Sequence, residues 1–272
     1  MAQHSLERLN VILIGSGNVA TNIGIALQDA EAEITQVYSQ DVANAKILAR
    51  TLAKKSKASK PKVLTNLSKI DKRPSLIIIA VKDSAIEGIV KQLNVNDGIV
   101  VHTSGNVSLD VLKKFNQYGV LYPLQTFSKG RITDFSNVPM CIEGSDVSTL
   151  QSLMTVAESL SDCVYNLNSK QRAGAHLAAV FANNFTNHIY AVAEKLLNEQ
   201  KLPFDLIRPL IDETAVKVMD ISPAAAQTGP AIRKDNNVMK SHLVNLKKHP
   251  ELKKMYALFS AEILKTAKKK IK

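Results

Sequence analysis

The sequence predicts an α/β protein: an N-terminal doubly wound parallel sheet followed by an all-α region. Three observations carry this reading. Short apolar, β-branched runs alternate with stretches of helical spacing through residue 167, the pattern of strands buried between helices. A glycine-rich turn stands at the first strand–helix junction, and from Ser169 onward only helical periodicity is left.

The first strand is Leu9-Asn10-Val11-Ile12-Leu13-Ile14, an apolar run too short for a helix, and it leads directly into Gly15-Ser16-Gly17-Asn18-Val19-Ala20. Residues 21–29 then place Ile23, Ala26 and Leu27 on one helical face. In that setting Gly15 permits the tight turn and Gly17 lets the backbone approach a pyrophosphate. The small Ala20 allows close helix–strand packing, with the helix N-terminus facing the anion. A bare G-x-G-x-x-A arises by chance in a chain with 11 Gly; the flanking strand and helix favour dinucleotide binding over a plain turn.

Further strands are expected at 34–39, 63–64, 76–81, 99–103, 120–123, 138–143 and 164–167, and helices at 42–52, 85–93, 108–115 and 148–160. Ser84, three residues before Glu87, reads as a capping box, and Ser108 as an N-cap. The lysine-rich stretch 53–61 reads as a surface loop. Helices then follow at 170–200, 205–220, 238–246 and 251–267. The expected division is a dinucleotide-binding domain over 1–167 and an all-α substrate and dimerisation domain over 168–272.

Composition excludes several classes. At 272 residues with 45% apolar content the chain builds real cores. Cys141 and Cys163 match neither a disulfide framework nor a zinc spacing, so no metal is implied. No apolar run approaches the roughly 20 residues of a membrane span, and Met1 to Arg8 lacks the pattern of a secretory leader, so a cytoplasmic protein is the simplest reading. The net charge of +11 gathers in 46–73 and 240–272. Neither cluster interleaves aromatic residues or follows a helix-turn-helix pattern, so both read as solvated lysine faces rather than a nucleic-acid surface.

The second strand ends in Val37-Tyr38-Ser39-Gln40, where a carboxylate would bind the ribose hydroxyls of NAD. Its absence favours NADP, while Asp41 keeps NAD open. Ligands of such sheets lie beyond the carboxyl ends of the strands. That draws attention to Val81 and the Lys82-Asp83-Ser84 loop, to His102-Thr103-Ser104-Gly105-Asn106, and to the loop from Tyr122 to Phe127 that carries Gln125. His102 suits proton transfer, or is simply a satisfied histidine in a strand; Ser104 suits a hydrogen bond to a nicotinamide amide or a substrate oxygen. The helix from Ser169 is apolar nearly all round and reads as buried, with His176, Val180, Asn183 and Asn187 along one face. Buried imidazoles and amides need partners, so that line marks a polar pocket or a helix–helix network. Arg233, after the Gly229-Pro230 turn, offers a fork for a carboxylate or phosphate, or pairs locally with Asp235.

Several motifs in this order, Ile14 to Ala20, Val37-Tyr38-Ser39, His102 to Gly105, Tyr122 to Phe127, His176 to Phe185 and Thr228 to Arg233, resemble a bacterial family joining a Rossmann-like NADP-binding domain to a C-terminal domain of unknown function. That C-terminal domain is similar to those of the 6-phosphogluconate dehydrogenase superfamily, and the plan is also similar to deazaflavin-dependent NADP oxidoreductases and pyrroline-5-carboxylate reductases. The resemblance implies that Gly15, Ser16, Gly17, Asn18, Val19 and Ser39 face the dinucleotide, and that the helix bearing His176 and Asn183 crosses the domain interface. Relatives of the hydroxyacid dehydrogenase branch carry a lysine on that helix; here His176 and Asn183 stand on its inward face, which argues against lysine-based hydroxyacid chemistry.

The expectation is an NADP-dependent oxidoreductase that reduces a small carbonyl or imine compound, with a non-catalytic NADP-binding module as the alternative. His176 is expected to orient substrate or supply the proton, with His102 as second choice and Asn183 as hydrogen-bond partner. Val81 and Ser104 join the cofactor residues, while Asn187, Arg233 and Gln125 face substrate. A homodimer through the C-terminal domain is expected, because its helices are apolar on more than one face.

Overall fold

The computed structural model describes Leu6 and residues 9–55, 60–128 and 130–269. The chain divides into two compact units, 1–188 and 189–272. In the first, β1 (Asn10–Ile14), α1 (Asn18–Asp29), β2 (Glu33–Tyr38), α2 (Val42–Lys55), β3 (Lys62–Leu64), β4 (Leu76–Ile79), α3 (Asp83–Gln92) and β5 (Ile99–His102) follow in turn. They are succeeded by β6 (Gln117–Pro123), β7 (Met140–Gly144), α4 (Val147–Leu160), β8 (Val164–Asn166) and α5 (Ser169–Ala179).

The eight strands form one sheet in the order β3-β2-β1-β4-β5-β6-β7-β8. Chain order reverses between β1 and β4, which opens a crevice beyond their carboxyl ends. All neighbouring pairs are parallel except β6 and β7, which are antiparallel. The doubly wound α/β expectation holds, with this one reversal. β1 shows why its sequence is apolar without alternation: Val11 and Leu13 enter one core cluster while Ile12 and Ile14 enter the other, so both faces of the sheet are covered.

Several local expectations are corrected. Helix α3 begins at Asp83 behind Lys82, one residue before Ser84, so the expected capping box does not form and Glu87 pairs with Lys91 at 2.7 Å. Of the helix expected over 108–115, only a 3₁₀ turn at Leu109–Leu112 is present, although Ser108 does accept from the Asp110 amide as expected of its N-cap. Helix α2 runs on to Lys55, so the expected loop starts later, and its residues 56–59 lie outside the described residues.

The helix expected over 170–200 is built in three parts: α5, a π-helical turn at Val180–Phe185, and α6 (Thr186–Glu199). Nor is α5 buried all round, as its apolar composition predicted. Arg172 is its one buried residue, while Leu177 and, in the π turn, Phe181 are 59% and 62% exposed.

The second unit takes up the rest of α6 and continues through α7 (Arg208–Asp220), α8 (Pro223–Ala226), α9 (Asn236–Asn245) and α10 (Pro250–Lys269). Pro209 opens α7 within its first turn, where its missing amide costs no helical hydrogen bond. Two polar clips hold the unit: His242 Nδ1 with Tyr256 Oη, and His249 Nε2 with Glu199, each at 2.9 Å.

Candidate functional site

The glycine turn is shaped by close contact on one side and open space on the other. Gly15 has φ +124°, and a Cβ there would lie 2.1 Å from the Ala80 carbonyl oxygen. Only glycine satisfies both the angle and the approach of β4. Gly17 is the N-cap of α1 with no side chain capping the helix, and a Cβ there would meet nothing within 4 Å. Uncapped amides at a helix N-terminus beside open space form a cradle for an anion. Ala20 is fully buried behind the turn.

The cavity that opens here has a volume of about 1030 Å³ and is lined wholly by residues of the first unit. At one end lie Gly15, Ser16, Gly17, Asn18 and Val19, with Tyr38, Ser39, Gln40, Asp41 and Asn44 beside them. Ser16 Oγ donates to Ser39 Oγ at 2.9 Å, which ties the glycine turn to the end of β2. The Asp41 carboxylate accepts from the amide of Asn44 at 3.0 Å and from its side chain at 2.7 Å. Both oxygens of the nearby carboxylate are thereby engaged. Across the middle run Val81, Lys82, Asp83, Thr103, Ser104 and Gly105; at the far end stand Tyr122, Gln125, His176, Asn183 and Asn184.

The far end is organised by a tyrosine that sequence reasoning did not single out. Tyr122 Oη lies 2.9 Å from His176 Nδ1, and the rings meet edge to face with centroids 6.0 Å apart. Burial, reinforced by the neighbouring Cys141 and Asp83, pushes the Tyr122 phenol up to about 12. It therefore stays protonated at neutral pH. Gly105 backs the pair closely: a Cβ there would lie 2.8 Å from His176 Cγ and Nδ1 and from Tyr122 Cζ.

What holds His176 in place begins one helical turn earlier, at Arg172, whose side chain is 1% exposed. Its guanidinium pairs with Glu143 of β7, donates to the Val107 carbonyl at 2.6 Å and reaches Ser169 Oγ at 3.2 Å. Glu143 also accepts from the amide and hydroxyl of Ser169, each at 2.9 Å, and Ser169 Oγ accepts from the Leu109 amide at 3.0 Å. Helix α5 is closed at its start by an Asn168–Gln171 capping box. The spacing Asn168-x-x-Gln171 was visible in the sequence; the Arg172–Glu143 clasp, between residues 29 apart, was not.

His102 is placed differently from His176. It is fully buried and is not among the cavity-lining residues. Its Nδ1 accepts from the Ser104 amide at 3.1 Å, and among the described residues Nε2 has no partner within hydrogen-bond distance. Burial, then the nearby Arg172 guanidinium, lowers its pKa to about 4, so it is neutral at ordinary pH. Ser104 does line the cavity, and its Oγ accepts from the amides of Asn106 and Val107 at 3.1 and 3.0 Å. Among the other expected substrate contacts, Gln125 lines the cavity, whereas Asn187 is exposed on α6 and is not part of the lining. Arg233 belongs to the second unit. Among the described residues no His, Cys, Asp and Glu cluster could hold a metal, and no helix is long and apolar enough to cross a membrane.

Residues 2–127 match the Rossmann-like domain family, and residues 138–263 match a domain of unknown function, DUF2520. A Bacteroides fragilis protein provisionally named an NADP oxidoreductase is 41% identical, with 96% of this chain and 100% of that one covered and a TM-score of 0.86. A Thermotoga maritima protein shares 22% identity over 96% of this chain and 100% of its own, with a TM-score of 0.72. An imine reductase of Streptomyces aurantiacus shares 14% over 97% and 99%, with a TM-score of 0.61. At such distances the latter two show the fold alone. No curated protein matches the chain. Sheet order, glycine turn and sequence identity over almost its whole length agree, and the chain belongs to the family that joins a Rossmann-like domain to a DUF2520 domain.

Proposed function

We propose that the protein is an NADP-dependent reductase of a small carbonyl or imine compound. The observation that carries this reading is the single cavity that runs from an uncapped helix N-terminus to a tyrosine–histidine pair. The name of the Bacteroides fragilis relative supports the cofactor class. Gly15, Ser16, Gly17, Asn18 and Val19 would hold the pyrophosphate half; Ser39 would take the adenosine ribose, and Val81 and Ser104 the nicotinamide side. NADP is preferred over NAD because β2 ends in Tyr38 and is followed by Ser39 and Gln40, and because the Asp41 oxygens are committed to Asn44.

Bound there, NADPH supplies a hydride to an electrophilic carbon. The chain supplies the rest. His176 faces the cavity and gives a proton to the oxygen or nitrogen that receives the electron pair, while Asn183 and Gln125 orient that polar group. His102 acts at one remove: its Nδ1 fixes the Ser104 amide and so the loop beneath the ligand. Residues 1–167 form the dinucleotide-binding part in this reading and 168–272 the part that completes the substrate side and the dimer.

A fluorescence titration with NADPH and NADH, followed by a panel of keto acids and cyclic imines, tests the proposal. The expected result is tighter binding of NADPH and its oxidation by at least one compound. Failure to bind NADPH overturns the assignment; binding with no turnover across the panel leaves a nucleotide-binding module.

A further inference from the structure

We infer that Tyr122 is a positioning residue that donates its phenolic hydrogen to His176 Nδ1, and so presents His176 Nε2–H to the cavity as the proton donor. Its catalytic meaning rests on the reductase reading above; its geometry does not. The argument starts from the hydrogen-bonding inventory. A neutral imidazole has one donor nitrogen and one acceptor nitrogen, and the partner of one sets the role of the other. Tyr122 Oη is the partner of Nδ1, at 2.9 Å, and Nε2 has none among the described residues. The phenol is held in its protonated form by burial, so it has a hydrogen to give at any working pH. The reverse arrangement would leave that hydrogen without an acceptor among the described residues and would turn a lone pair, rather than a donor, toward the ligand.

Two features make the arrangement specific. Gly105 leaves just enough room for both rings: a Cβ at this position would lie 2.8 Å from His176 Cγ and Nδ1 and from Tyr122 Cζ, so any side chain there would displace the pair. Arg172, a helical turn before His176, is locked to β7 and the Val107 carbonyl, which fixes the helix that carries the imidazole. Transfer then balances with the imidazole neutral throughout. As the Nε2–H bond breaks toward the substrate oxygen or nitrogen, the Tyr122 O–H bond breaks and an Nδ1–H bond forms. The negative charge rests on the phenolate until water returns a proton.

The test uses the full chain labelled with ¹⁵N-histidine, at about pH 8.5, where an ordinary imidazole is neutral. The His176 signals are identified by comparison with His176→Asn. In the wild type, Nε2 should carry the hydrogen and Nδ1 should show as an acceptor. Tyr122→Phe should give a mixture of tautomers, and Gly105→Ala, whose backbone angle is ordinary but whose methyl group meets both rings, should do the same. A wild-type ring with its hydrogen on Nδ1, or a tautomer unchanged in both variants, overturns the inference. For any compound the panel identifies as substrate, Tyr122→Phe should lower kcat by about 10²-fold or more with KM nearly constant. In the wild type the dependence of rate on deuterium fraction should curve, as two hydrogens move, and in Tyr122→Phe it should be straight. An unchanged kcat in Tyr122→Phe overturns the positioning role. The tautomer experiment needs no substrate, so a failed search for one counts against the reductase reading and leaves this assignment intact.

Discussion

Gly15 and Gly17 stand two positions apart, yet their substitution should have separable effects. Gly17 faces open space, so Gly17→Val should fold with its thermal midpoint and helical content close to wild type and lose NADPH binding, because its side chain occupies the cradle. Gly15→Ala meets the Ala80 carbonyl and a forbidden angle together, and should lose stability as well as binding. Thermal unfolding and a nucleotide titration on the two variants check this; normal binding by Gly17→Val would remove the cofactor assignment. The glycines were legible in the sequence because strand, turn and helix are contiguous there. Tyr122 was not: its meaning depends on His176, 54 residues away, and nothing local distinguishes it from any tyrosine at a strand end. His102 shows the converse, since its position at the carboxyl end of a central strand suggested chemistry while its ring turned out to be enclosed.

At the level of elements, alternation through residue 167 located β1 to β8 closely, because strands buried on both faces leave uninterrupted apolar runs. It did not reveal that β7 runs antiparallel, which depends on what connects the strands rather than on their composition. Nor did helical spacing expose the π turn at Val180–Phe185, where one added residue re-aims the face that carries Asn183 and Asn184. The clasp between α5 and β7 is the element-scale feature with the clearest consequence. Removing one member leaves the other charge buried without its partner, so Arg172→Met should destabilise the protein by about 3–5 kcal/mol. The double variant Arg172→Met with Glu143→Leu should recover much of that loss, since a buried ion pair replaced by apolar groups is often neutral. Denaturant midpoints of the three proteins decide it; equal losses in the single and double variants would show that packing, not charge, governs the site.

For the whole molecule, the most conspicuous property is the number of large apolar side chains left in water. Leu177, Phe181 and Phe185 stand out on the first unit, and Leu206, Leu210, Met219 and Val244 on the second. Scattered exposed apolar residues are ordinary; a contiguous set of them on neighbouring helices is what a subunit interface would leave uncovered. We expect a homodimer formed mainly by residues after Ser169. Light scattering at micromolar concentration should give twice the mass of one chain, and a monomer would contradict the expectation. The helical nature of this region was plain from its periodicity. Which of its faces would find cover inside one chain was not, because periodicity reports that a face is apolar and is silent about what lies against it.

The clasp also bears on how the chain assembles during synthesis. Glu143 leaves the ribosome with β7, and Arg172 follows 29 residues later, after α4 and β8 have already supplied the edge of the sheet. A carboxylate enclosed before its partners arrive would carry the full cost of a buried, unpaired charge. When α5 arrives, the same motion that strips water from Glu143 delivers the guanidinium, the Ser169 hydroxyl and the Ser169 amide that replace it. Charge burial and charge pairing are thus supplied by one element, and the helix that brings Arg172 to Glu143 is the same one that brings His176 to Tyr122.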